Sequence, residues 1–253
     1  MDSRTYGDLR VTVLDSNEQL GEYAAGVFAA AVRQELAQRD TIAVILATGN
    51  SQLSFARAVV RRDDIEWSRV IVLHMDEYLG MSPTHPASFR RWMQENIVEA
   101  VHPLRFEGIA ADGDATAEMA RYTALLRELK PAITVMGIGE NGHLAFNDPP
   151  ADFTTPELIH VIDMDEVSRR QQVGEGHFPS LAETPTQAIS LTIPALLAPE
   201  HVLVLTPEAR KAVAVRATLE GPIGPMCPAS ILRTQPQAQL YLDRDSAGLL
   251  AEV

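Results

Sequence analysis

Short apolar runs recurring between amphipathic stretches constrain this chain of 253 residues more than any other feature of it. TIAVIL at 41–46, VIVL at 70–73, ITVM at 133–136 and VLVL at 202–205 are rich in β-branched residues and free of charge. Runs of this kind are strands buried on both faces, the habit of a parallel sheet. The stretches between them have helical spacing and recognisable starts. Ser16 to Gln19 is a capping-box pattern opening a helix to about residue 39. Asp114 or Thr116 opens another to about residue 129. Ser88 caps a helix carrying Phe89, Trp92, Met93 and Ile97. Thr206-Pro207-Glu208 reads as a hydroxyl cap with proline at the first position, starting a helix that ends at Gly221. Residues 11–14, 104–106, 158–162, 187–193 and 240–242 read as further strands, and 165–173, 245–251 and the stretch from the 47–51 turn to about residue 62 as helices. The alternation predicts an α/β fold, a mostly parallel open sheet with helices on both faces, in a single domain over 1–253.

Composition narrows the class. An apolar content of 46% is ample for a large core. Cys227 is the only cysteine, so no intrachain disulfide forms, which fits a reducing cytoplasm. The amino-terminal residues lack a basic segment followed by an apolar core, and no window is apolar enough for a membrane helix. A net charge of −13 argues against a nucleic-acid surface but leaves room for a phosphorylated metabolite met by local positive groups.

The chemistry-bearing residues follow the apolar runs. In open α/β sheets, sites lie beyond the carboxyl ends of strands. After 133–136 comes GIGENGHLAFNDP, which packs Glu140, Asn141, His143, Asn147 and Asp148 among Gly137, Gly139 and Gly142. Histidine is the residue type suited to proton transfer at neutral pH. After 41–46 come Thr48, Gly49, Asn50 and Ser51, whose amides and hydroxyls at a helix start suit a phosphate. Neither a dinucleotide fingerprint nor a Walker loop is present. After 70–73 come Asp76 and Glu77, either of which could serve as a general base. Lys211 lies in the first turns of its helix, where the macrodipole disfavours a cation unless an anion is bound. Arg169 and Arg170 are candidates for a second positive group. The histidine and carboxylate spacings match no standard zinc pattern, so no metal is expected.

MDEY at 75–78, the G-x-G-x-x-GH-x-AFN-x-P segment from Gly137 to Pro149, and RKAxAVxxxLEG from Arg210 to Gly221 together resemble the glucosamine-6-phosphate deaminase (isomerase) family. PTQAISL at 185–191 is similar as well. The resemblance implies a modified Rossmann domain without a cofactor, acting on an amino-sugar phosphate. It implies ring opening, aldose–ketose isomerisation and loss of ammonia to give fructose 6-phosphate. Asp76 would move a proton between C2 and C1, His143 would assist ring opening, and Asp148 would orient that histidine. Thr48 to Ser51, Gly139 and Lys211 would bind the substrate and its phosphate. Members of such families often assemble, which leaves a homo-oligomer open.

Three features depart from the family pattern. Asn141 stands where an aspartate is usual, Asp148 is one methylene shorter than the usual glutamate, and the phosphate loop reads TGNS instead of TGGT. Segment 165–180 offers no aligned phosphate-binding arginine. The resemblance therefore carries two alternatives. One is a hydrolase of the sister 6-phosphogluconolactonase type, with His143 as base for water. The other is a catalytically weak sugar-phosphate-binding protein.

Overall fold

The computed structural model describes residues 2–251. Its strands in chain order are β1 (Asp2–Tyr6), β2 (Leu9–Leu14), β3 (Ile42–Leu46), β4 (Val70–His74), β5 (Asp76–Tyr78), β6 (Arg105–Glu107), β7 (Ile133–Met136), β8 (Ile159–Asp163), β9 (Gln187–Leu191), β10 (His201–Thr206) and β11 (Ala238–Asp243). Eight form one sheet in the order β1-β2-β11-β10-β7-β3-β4-β6, parallel throughout except for the β1–β2 hairpin at one edge.

The apolar runs became its centre because both faces are covered. Along β3, Ala43 and Ile45 belong to the core on one side, whereas Ile42, Val44 and Leu46 belong to the core on the other. Helices Asn17–Leu36 and Leu53–Val59 cover the second side, and helices Ala115–Leu129 and Ala212–Glu220 the first. The predicted caps at three of the helix starts are realised. Ser16 accepts from the Gln19 amide, Asp114 from Thr116 and Ala117, and Ser88 from Arg91.

Four local expectations are corrected. Strand β1 went unread because its sequence, DSRTY, is polar and mostly exposed, which a hairpin edge tolerates. The strand starting at 70 does not simply run out over 74–78: β4 stops at His74, and after Met75 the chain starts β5, which pairs antiparallel with β9 in a second, three-stranded sheet, β5-β9-β8. Thr206 does not cap a helix. It ends β10, and the next amide, that of Glu208, donates to both oxygens of Asp243 at 3.1 and 3.0 Å. Glu208 takes a left-handed φ of 82°, and a short 3-10 turn, Ala209–Lys211, leads into helix Ala212–Glu220. Residues 245–251 form turns instead of a helix, because Asp243 also accepts the Ser246 amide at 2.8 Å and folds the chain back on itself.

Helix Asn17–Leu36 meets helix Leu53–Val59 at Gly21. A Cβ added there would lie 2.4 Å from the Ser54 carbonyl carbon and 2.6 Å from its oxygen. Alanine is the better helix former by about 1 kcal/mol, but overlap with backbone costs about 1–3 kcal/mol or more. Gly21→Ala is therefore expected to lower stability by about 2 kcal/mol, with the sign set by packing over propensity. Urea unfolding of the two proteins measures it, and a stabilised variant would show that the two helices separate freely.

Candidate active site

Parallel strands deliver the segments after β3, β4, β7 and β10 to one edge of the sheet. There they enclose an open cleft. Thr48, Gly49, Asn50, Ser51, Asp76, Gly139, His143 and Lys211 all line it. Glu77, Asn141 and Asp148 do not.

Asp76 is the carboxylate on the cleft wall. β5 buries it, and it is only 7% exposed. Burial, with the neighbouring Glu77 charge second, pushes its carboxyl up to about 8. Glu77 points the other way, as alternation along a strand requires. It accepts from the Ser88 hydroxyl at 2.7 Å, the Arg90 amide at 2.9 Å, and the Tyr78 and Phe89 amides at 3.0 and 3.2 Å. Three of these four bonds tie β5 to the helix start at Phe89. Of the two acids after β4, geometry leaves Asp76 facing a ligand.

His143 lies flat over Gly139. A Cβ at position 139 would meet its Nε2 at 2.1 Å, so the glycine provides the bed of the imidazole. Its Nδ1 is 2.8 Å from Ser168 Oγ and 3.1 Å from Asp148 Oδ1. The Ser168 hydroxyl donates to Asp148, so Nδ1–H donates to Ser168 and Asp148, and Nε2 is left as an acceptor beside the cleft. Burial would raise the Asp148 carboxyl, but hydrogen bonds from His143, Asn141 and Ser168 outweigh it and hold it down at about 2.

Asn141 has a role that an aspartate could not fill unchanged. Its amide donates to Asp148 at 2.9 Å and Asp165 at 3.3 Å, while its Oδ1 accepts the His143 amide at 3.0 Å. It bridges two carboxylates and positions the loop under the imidazole.

At the other end of the cleft, Lys211 is 2% exposed, and burial lowers its ammonium to about 8 against the raising effect of Glu175. Arg210 reaches the Ser51 hydroxyl at 3.4 Å. Arg169 instead holds the carbonyls of Leu181, Thr184 and Pro185, and Arg170 is an exposed partner of Glu166. Gln171, Gln172, Glu175 and His177 also line the cleft. Sequence reasoning missed these four, together with Ser168 and Arg210. Only Arg210 carried a signal, its place beside Lys211.

Fold and site together define an α/β protein whose strand ends bring a buried carboxylate, an oriented imidazole and a buried lysine to one cleft. The chain belongs to the family described as glucosamine-6-phosphate isomerases/6-phosphogluconolactonase, whose model matches residues 15–241. Among its relatives, the glucosamine-6-phosphate deaminase of Exiguobacterium sibiricum is 34% identical over 233 residues, 91% of this chain and 90% of that one. The deaminase of a Geobacillus species is 31% identical over 93% of both chains. A solved monomeric glucosamine-6-phosphate deaminase superposes with a TM-score of 0.87 at 28% identity, covering 94% of this chain and 99% of its own. The 6-phosphogluconolactonase of Thermotoga maritima shares the fold, with a TM-score of 0.74 at 16% identity over 92% and 98%.

Two outcomes follow from these charges. Between pH 4 and about 8 native Asp76 keeps a proton that the unfolded chain has released, so stability falls as pH rises through that window. Asp76→Asn is expected to gain thermal stability over wild type above pH 8 and to show little difference near pH 4; equal melting temperatures across the range would contradict the buried carboxyl. Asn141→Asp places a third carboxylate against Asp148 and Asp165 and is expected to cost about 1–3 kcal/mol at pH 7. The loss should shrink below pH 4, and chemical denaturation at the two pH values checks it.

Proposed function

We propose that this chain converts glucosamine 6-phosphate and water into fructose 6-phosphate and ammonia. The observation that carries the reading is a buried carboxylate, Asp76, sharing a cleft with an oriented imidazole, His143, and a buried lysine, Lys211. The loop Thr48–Ser51, with Lys211 and Arg210, takes the phosphate. Binding energy gained there is remote from the reacting carbons and serves to hold them against Asp76 and His143.

His143 Nε2 accepts the proton of the anomeric hydroxyl and returns it to the ring oxygen, so that the C1–O5 bond breaks and the aldehyde forms. Asp148 and Ser168 hold the ring in the tautomer this needs. Asp76 then removes the proton from C2, giving an enolamine, and delivers it to C1. The nitrogen is left as an imine at C2, water adds to that carbon, and ammonia departs. A carboxyl raised to about 8 is a stronger base than an ordinary aspartate and suits a weakly acidic C–H. Asn141 supports this arrangement through the backbone of the loop, and Glu77 by fixing β5.

The test is ammonia release from glucosamine 6-phosphate by the purified protein. Asp76→Asn should lose at least about a thousandfold in kcat, and His143→Gln about a hundredfold or more. At saturating substrate, wild-type kcat should rise with pH through neutrality and level off above 8, since Asp76 must be ionised to act. Release of ammonia that does not depend on Asp76 would reject the mechanism. Hydrolysis of 6-phosphogluconolactone at a rate insensitive to Asp76 would establish the sister reaction instead.

A further inference from the structure

The cationic end of the cleft already contains an anion. Glu175, carried just past the helix Glu166–Gly174, lines the cleft with only 7% of its side chain exposed. One of its oxygens pairs with Arg210 Nη1 and accepts from Gln171 Nε2 at 2.8 Å. The other lies 4.0 Å from where a Cβ on Gly49 would sit, at the centre of the Thr48–Ser51 loop. Arg210 is further occupied by Glu208 at 2.6 Å and Glu140 at 3.2 Å. Two cations, Arg210 and Lys211, thus meet three carboxylates. His177 adds no charge: its Nδ1 donates to Gln172 Oε1 at 2.7 Å, burial lowers its proton affinity, and its Nε2 faces Glu175 at 4.0 Å.

A phosphate dianion placed here would stand against a buried carboxylate whose neutralising partners are already shared. A phosphate carrying one proton meets no such opposition, because that proton satisfies the carboxylate as a hydrogen-bond donor. We propose that Glu175 makes this end of the cleft selective for the singly protonated phosphate ester, with one proton held between a phosphate oxygen and the Glu175 carboxylate. The inference rests on the phosphosugar reading and adds the ionisation state of the substrate to it. A phosphate monoester loses its second proton near pH 6. Above that pH, binding takes one proton from solution, and affinity falls as pH rises.

Calorimetric titration of the full chain with glucitol 6-phosphate tests this. The probe has no carbonyl to react and no amine, so its phosphate is the only group on it that titrates near neutrality. At pH 7.0, in two buffers of different ionisation enthalpy, wild type should take up close to one proton per ligand bound. Its dissociation constant should weaken about tenfold per pH unit from 7 to 8. Lys211, still mostly charged at pH 7, contributes only a small part of that uptake. In Glu175→Gln the uptake should fall to a small fraction and the affinity should become nearly independent of pH. Binding by wild type without proton uptake, or equal uptake in the variant, overturns the role of Glu175 and leaves the phosphosugar reading standing. The wild-type measurement decides this even if the variant is unfolded. Absence of binding to folded wild type overturns both.

Discussion

In a parallel sheet every strand ends at the same edge. β10, β7, β3 and β4 lie side by side, so the segments that follow them meet whatever their separation in sequence. Thr48, Asp76, His143 and Lys211 are brought to the same region by this arrangement. Each strand is short and apolar on both sides, which locks its register against two neighbours. Moving one loop would require shifting a strand whose side chains fill both cores.

The second sheet supplies what the first cannot. A residue in an open loop after β4 would be solvated and ordinary in its acidity. By turning at Met75 and pairing β5 with β9, the chain gives Asp76 a backbone ladder and takes it out of water. Glu77 is the other half of the same device, since the Ser88 hydroxyl and the Phe89 and Arg90 amides that donate to it hold β5 against the helix start. Tyr78 closes the small aromatic core with Phe89, Phe146 and Phe178 beneath. Two adjacent acids thus take up separate duties because a strand points them in opposite directions.

The main sheet was legible because parallel strands are written as continuous apolar runs, and Ile133–Met136 was read to the residue. The caps at Ser16, Ser88 and Asp114 were legible because their hydrogen bonds are local. What escaped depends on distant partners. Thr206-Pro207 has the composition of a helix start, but Asp243 takes the amide that a cap would compete for. The cleft residues on the sequence list are those at strand ends, where position alone is informative. Ser168, Gln172, Glu175 and His177 come from a segment with no such marker, and only folding shows that it leans over the cleft. Likewise Asn141 reads as a departure until Asp165 is seen on its far side.

Gly139 and His143 are four positions apart in the chain and in contact in space. Any side chain at 139 would evict the imidazole from its place. The two positions are therefore one unit of the site: the catalytic orientation of the imidazole depends on an atom that residue 139 does not have.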